Sequence, residues 1–506
     1  PTASIQRDGD IYTLTSNITV AYTDGIVIER NNIMLDGAGY TVHAQLLAGV
    51  GINLATRSNV TVKNITITGF DRGIQLYYSS NNTLSGNTVT NTTWGLFVDN
   101  SSNNTLSDNH ATNNVYGVYT YYSSNNTFSG NNATNNSHGI CLAYSSNNTL
   151  LGNSATNNTF GIFLGDSCNN TLSSNVMSDN KYNFGCGWSY LGELLANFID
   201  SSNVANEKPI YYVVGASDTV YDSSTNAATI CIIDSTNVTV RDLHLTNNYY
   251  GVFLFNTTNS KIENVTTIDN YYGMYFYNSR NNTVLGSTTT NSAESGIHAS
   301  ESTNNTFIGN TASNSCNGVT FGGSNNNTFV GNTASNNGYA GIQLNSCNNN
   351  TLLGNNATNN VCGIFLHYSF NNVIFHNNFF NNNDQVDSLL SNNTWNGDYP
   401  SCGNYWGDYT DVDSYNGPYQ NVTGSDGVGD IPYVIDEDDQ DNYPFMGQNG
   451  WLNHPIAIES NVTITKTTAD RCSLNFTTSG PSGQVGYVNA TVPVGLNQTE
   501  IKVFIN

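Results

Sequence analysis

Residues 117–138 read GVYTYYSSNNTFSGNNATNNSH, residues 139–160 read GICLAYSSNNTLLGNSATNNTF, and from residue 161 the chain begins again with GIFLGDSCNNTL. The Asn-Asn-Thr triplet keeps this beat from Asn81 through Asn103, Asn125 and Asn147 to Asn169. Glycine followed by mostly apolar residues marks the same period at Gly51, Gly73, Gly95, Gly117, Gly139 and Gly161. It resumes at Gly251, Gly273, Gly296, Gly318, Gly341 and Gly363, with a step of 22 to 23 residues. A fixed short period is the mark of a solenoid whose repeats fold only when stacked.

Within residues 139–160, three short runs of apolar alternation are separated by Ser, Asn and Gly, a pattern of short strands and turns. Ile140, Leu142, Leu150 and Ala155 are the expected inward residues, with Leu84, Leu106, Phe128, Ile162, Leu164 and Leu172 as counterparts elsewhere. Large buried side chains contribute roughly 1.5–3 kcal/mol each. Backbone ordering costs about 1–2 kcal/mol per residue, so one coil of this length does not fold alone. Stacking adds main-chain hydrogen bonds to both neighbours. The expected fold is all-β, a right-handed parallel β-helix, and about fifteen coils at strand spacing make a rod roughly 70 Å long. Stacking in register aligns Asn82, Asn104, Asn126, Asn148 and Asn170 as an amide ladder along one turn, while asparagine tolerates the left-handed conformation a tight corner needs. The pairs Tyr77-Tyr78 and Tyr121-Tyr122 recur at one corner and are expected to stack likewise.

The expected organisation is an N-terminal cap with the first coils (residues 1–48) and β-helix over 49–186. An insertion (187–228) and more β-helix (229–385) follow, then an acidic aromatic cap (386–450) and a partial β-sandwich-like module (451–506). Leu191 to Ala196 suggests a short helix, and Lys208 to Val214 a strand. A start at Pro1 without a basic, apolar leader reads as a processed or truncated product.

The net charge of -24 disfavours nucleic acid and anionic membranes as partners, and no stretch is apolar enough to span a bilayer. Closely spaced carboxylates after residue 400 suggest calcium, with Asp411, Asp413, Asp426 and Asp430 as ligands. Nine cysteines show no Cys-x-x-Cys spacing. Cys168, Cys186, Cys316, Cys347 and Cys362 are disulfide candidates, with burial as small hydrophobes the alternative. Asn17, Asn64, Asn91, Asn237, Asn264, Asn421, Asn461 and Asn489 are candidate glycan acceptors, although a chain this rich in Asn, Ser and Thr forms many such motifs by chance.

The opening segments Ile28-Glu29-Arg30-Asn31-Asn32-Ile33 and Leu35-Asp36-Gly37-Ala38-Gly39-Tyr40, the stretch Ser58 to Asn64 and the segment from Gly403 to Pro444 resemble the NosD-like, carbohydrate-binding and sugar-hydrolase-type β-helix proteins. The region around Gly480-Pro481-Ser482-Gly483 looks like a β-module of cell-surface proteins from methanogenic archaea. The resemblance implies a β-helix but no single activity. A copper role of the NosD kind calls for clustered Met, His or Cys, and the four methionines are scattered.

Polysaccharide chemistry needs converging titratable groups, yet the coils from Ser79 to Asn372 carry few charges and the eight histidines are dispersed. No catalytic residue is nominated. The leading expectation is a non-enzymatic, extracellular structural protein that assembles with itself into a surface layer, sheath or filament, partly by strand addition at its C-terminal module. The alternative is a carbohydrate-binding or carbohydrate-modifying β-helix that uses Tyr249-Tyr250 and Tyr271-Tyr272 as sugar platforms, with cell-surface glycans as partners.

Overall fold

The computed structural model describes residues 4–187 and 196–452, together with the backbone of the strands Ala457–Ser460, Thr463–Ala469, Leu474–Ser479 and Val488–Thr491. The chain is a parallel β-helix of about 17 turns. Each regular coil supplies one six-residue strand and two three-residue strands, such as Trp94–Asp99, Thr105–Ser107 and His110–Thr112. Every strand pairs in parallel with its equivalent one coil on, so that Trp94 meets Tyr116, Leu106 meets Phe128 and Ala111 meets Ala133. The inward positions are those expected: Leu84, Leu106, Phe128, Ile140, Leu142, Leu150, Ala155, Ile162, Leu164 and Leu172 are all buried.

Corner chemistry explains the asparagine content. The first Asn of each triplet (Asn81, Asn103, Asn125, Asn147, Asn169) takes a positive φ of 54–59° and faces solvent, which asparagine does at less cost than most residues. The second Asn is buried. Backbone N–H and Nδ2 of Asn82, Asn104, Asn126 and Asn148 donate to Oδ1 of the next ladder member at 2.8–3.2 Å. Two further ladders run along the other corners, through Asn87, Asn109, Asn131, Asn153 and Asn175, and through Asn114, Asn136, Asn158 and Asn180. The ladders thereby supply partners for buried polar groups at the corners.

The beat breaks after Gly187, but not as an outgrowth between two halves of one rod. Phe198–Ile199 and Val204–Ala205 pair with Thr171–Ser173 and Val176–Ser178, so they complete a last coil of the first solenoid. Lys208–Val214 is a strand, as expected. It runs antiparallel to Val204–Ala205 and parallel to Thr229–Ile233, and so starts a second solenoid with reversed strand direction. Residues 191–195 of the expected helix lie outside the described residues.

The first long strands of the second solenoid lie between two cores. Their inward residues Ile230, Ile232, Val252, Leu254, Met274 and Phe276 belong to its own core. Their outward residues Cys231, Ile233, Phe253, Tyr275 and Tyr277 join the core of the first solenoid with Phe184, Cys186, Ile199 and Ala205. A solenoid end exposes apolar surface and needs a cover. Here the flank of the second solenoid provides it, and a single continuous 70 Å rod is not formed.

At the far end the acidic aromatic segment ends the second solenoid. Trp395 and Trp406 are buried in its core, and their indole N–H groups donate to Asp439 (3.1 Å) and Asp441 (2.9 Å). The same carboxylates accept the last ladder amides, Asn393 N to Asp439 at 3.1 Å and Asn404 N to Asp441 at 2.7 Å. Gln385 closes the third ladder by accepting from Asn382 Nδ2 at 2.9 Å. Beyond residue 452, Ala457–Ser460 pairs antiparallel with Val488–Thr491, and Thr463–Ala469 with Leu474–Ser479.

Candidate functional site: an aromatic face at the junction

The long strands carry the site. Their second position is glycine because the carbonyl of the next coil lies where a Cβ would go: one on Gly95 would sit 2.4 Å from Gly117 O, and one on Gly117 2.6 Å from Gly139 O. The residue before each glycine stands at the corner beside its counterpart. Trp94 stacks on Tyr116 at 4.3 Å, Tyr116 on His138 at 4.6 Å, and His138 on Phe160 at 4.8 Å, all within 20° of parallel. Rings stacked this way cover one another's faces and offer edges to solvent.

The arrangement changes at the junction. Phe160 meets Tyr182 at a 38° tilt, Tyr182 meets Tyr271 at 81°, and Phe163 meets Tyr249 at 63°. Tyr249 and Tyr271 stack at 4.7 Å, and Tyr249 N–H donates to Phe184 O of the first solenoid at 2.9 Å. Phe160, Phe163, Tyr249, Tyr271 and Tyr272 are each half-buried; Tyr249 and Tyr271 cover one face of each other, and Phe160, Phe163 and Tyr272 meet Tyr249 at a tilt.

A polar groove of about 980 Å³ runs alongside, lined by Asn113, Asn135, Asn157, Ser137, Thr159 and Lys181 among others. Ser137, Thr159 and Lys181 each immediately precede a ring of the column. Lys181 Nζ lies 5.2 Å from the centre of the Tyr182 ring, where it supplies a cation to an aromatic partner.

Titratable groups on this face are few. Burial lowers the pKa of His138 and pushes His298 down to about 4, leaving both imidazoles neutral at pH 7. Burial raises Asp99, with Asn100 and Arg72 acting in opposition. Tyr249, Tyr271 and Tyr272 are all raised, first by burial and in part by the nearby Glu294.

Sequence reasoning found Tyr249, Tyr271 and Tyr272, whereas Tyr250 is buried. It missed the column from Trp94 to Phe160, although an aromatic or His residue before each glycine repeats on the 22-residue beat. Three of the four carboxylates proposed for calcium accept N–H groups of the surrounding loops. Asp413 accepts from Asp426 N and Gly427 N, Asp426 from Gly417 N and Val428 N, and Asp430 from Ser414 N and Tyr415 N. Asp411 adjoins Tyr409. Among the described residues, no group of three or more His, Cys, Asp or Glu is placed to hold a metal ion.

Of the glycan candidates, Asn17, Asn64, Asn91, Asn237, Asn264 and Asn421 are exposed; Asn461 and the Asn489 side chain lie outside the described residues. Of the disulfide candidates, Cys347 and Cys362 donate to backbone carbonyls. Cys168 contacts Ser146 Oγ at 3.2 Å, Cys316 is exposed, and Cys186 adjoins Cys231.

The fold and this face define a right-handed parallel β-helix protein with an aromatic, amide-lined surface. The chain belongs to the NosD family, described as periplasmic copper-binding protein, whose model matches residues 24–212 and 210–411. Copper needs converging soft donors. Among the described residues, no group of three or more His, Cys, Asp or Glu is placed to supply such a set.

No curated protein matches the sequence. Similar solved structures include the A-module of the Azotobacter vinelandii mannuronan C-5 epimerase AlgE6 (15% identity, 75% of this chain and 88% of that one, TM-score 0.26). Others are the tailspike of E. coli bacteriophage HK620 in complex with a pentasaccharide (11%, 68% of each, TM-score 0.33) and the catalytic domain of a GH87 α-1,3-glucanase (12%, 78% and 63%, TM-score 0.22). The expectation of a non-enzymatic protein is corrected on this point, since an epimerase and a glucanase are among the matches. Among the described residues, no helix is long and apolar enough to cross a membrane.

Proposed function

We propose that the protein is a secreted carbohydrate-binding or carbohydrate-modifying β-helix whose ligand lies in the groove and ends against the junction rings. The observation that carries this reading is the half-buried cluster Phe160, Phe163, Tyr249, Tyr271 and Tyr272, together with an amide-lined groove whose lining residue Thr159 immediately precedes Phe160. A sugar ring has one apolar C–H face and a rim of hydroxyls. Tilted aromatic rings bury the face, and Asn, Ser and Thr side chains meet the rim. With so few charges on this face, neutral glycans fit better than polyanionic ones, which a chain of net charge -24 repels. Secretion is supported by the periplasmic description of the family.

The test is a glycan array probed with the full chain, its Tyr271→Ala and Tyr249→Ala variants, and Tyr368→Ala as a control elsewhere on the surface. Binding that both junction variants weaken at least tenfold supports the reading. An array without signal, or equal binding by all four proteins, refutes it.

A second reading, self-assembly into a surface layer or sheath, is favoured by one observation. Tyr78, Tyr122 and Tyr144 are 59%, 52% and 45% exposed at one corner, and Tyr122 stacks on Tyr144 at 5.0 Å. Exposed aromatic ridges often mark protein contacts. Its archaeal setting rests on the resemblance of the C-terminal module alone. Ordered assemblies seen by electron microscopy and lost in Tyr122→Ser/Tyr144→Ser would support it; dispersed monomers at high concentration would not.

A further inference from the structure

Cys186 is inward-facing on the last long strand of the first solenoid, aligned with Leu164 of the coil before. Cys231 is outward-facing on Thr229–Ile233 of the second solenoid, aligned with Tyr212 and Phe253. Both are buried (0% and 1% exposed) and free, and both belong to the core that spans the junction. Their thiols are hydrogen-bonding neighbours. The core that spans the junction thus holds one buried cysteine from each solenoid, the two lying beside each other.

We propose that Cys186 and Cys231 form a disulfide that locks the second solenoid onto the end of the first. The hydrogen bond to Cys186 and complete burial push the Cys231 thiol well above its ordinary pKa, so in the closed junction this thiol is unreactive. Oxidation therefore precedes closure, while the first solenoid's end is still open. The oxidant is a small or protein disulfide of the kind present outside the cytoplasm. The Cys231 thiolate attacks one sulfur of that disulfide, forming a mixed disulfide and releasing one carrier thiol. The Cys186 thiolate then attacks the Cys231 sulfur and releases the second. Two protein thiols lose two electrons and two protons, and the carrier disulfide becomes two thiols.

A covalent link here closes a long loop in the unfolded chain and opposes separation of the solenoids. It also holds the tilted rings of the junction in place, because Tyr249 is hydrogen-bonded to Phe184, two residues from Cys186.

The test uses the full chain, exported into an oxidising compartment or refolded with oxidised glutathione. The protein is denatured in guanidinium with iodoacetamide and no reductant, digested and analysed by mass spectrometry. The expected product is a peptide pair joining Cys186 to Cys231 that disappears on reduction and is missing from Cys231→Ser. Reductant should also lower the thermal midpoint of the parent protein while leaving that of Cys231→Ser unchanged. Quantitative alkylation of both cysteines without reductant overturns the proposal, as does linkage of Cys186 to any other cysteine.

Discussion

Asn126 shows what a single ladder residue does. Its Oδ1 accepts from Asn104 N at 2.8 Å and Nδ2 at 3.0 Å, while its own Nδ2 donates to Ser101 O at 3.0 Å. Alanine at this position leaves buried donors and an acceptor without partners, at about 1–3 kcal/mol for each such group. Asn125 is exposed with a φ of 59°, and alanine there meets only the left-handed penalty of roughly 1–2 kcal/mol. Asn126→Ala is therefore expected to cost on the order of 3 kcal/mol or more, and Asn125→Ala about half of that or less. Urea unfolding of the two variants, with amide exchange of the neighbouring coils, checks the difference. Equal losses would mean that the ladder adds nothing beyond its turn.

At the scale of the element, each ladder needs an end, and in the second solenoid carboxylates supply two of the three. Burial raises Asp441 to about 7, although the N–H groups of Asn404, Trp406 and Tyr443 favour its charged form. Asp439 is raised by burial as well. A carboxyl whose folded pKa exceeds its unfolded value of 3.8 binds its proton more tightly in the folded protein. Its contribution is complete below pH ~4 and is lost as pH rises through about 7. At about 1.4 kcal/mol per pH unit, the cap loses at most roughly 4 kcal/mol over that range. Thermal melting followed by the fluorescence of buried tryptophan should show a lower cap midpoint at pH 8 than at pH 5, with the difference reduced in Asp441→Asn. A midpoint that rises with pH would show that the hydrogen bonds outweigh burial.

The strands, their inward residues and the first ladder were legible because each repeats on the coil's own period. The carboxylate terminators occur once, far along the chain from Asn393 and Asn404, and no period announces them. The acidic segment reads as a cap from its sequence, but spacing alone does not single out Asp439 and Asp441 as the carboxylates that gather its N–H groups.

Across the whole molecule, the continuous rod expected from the repeats is replaced by two solenoids joined through an antiparallel strand pair. Both solenoids keep the same repeat, so the sequence reads alike on either side of the break. What distinguishes the junction is subtle: outward positions that elsewhere vary hold Cys231, Ile233 and Phe253, whose burial is visible only once the first solenoid's end is placed against them. The proposed glycan site depends on that placement, for it is the junction that turns the rings from a stacked column into a tilted cluster.

Saturation-transfer difference NMR on the strongest array ligand tests this account most directly. A glycan seated on the junction rings gives the largest transfer at C–H protons of one sugar face, strongly reduced in Tyr271→Ala and unchanged in Tyr368→Ala. Transfer spread evenly over the sugar, or unaffected by loss of Tyr271, would contradict a carbohydrate site at the junction.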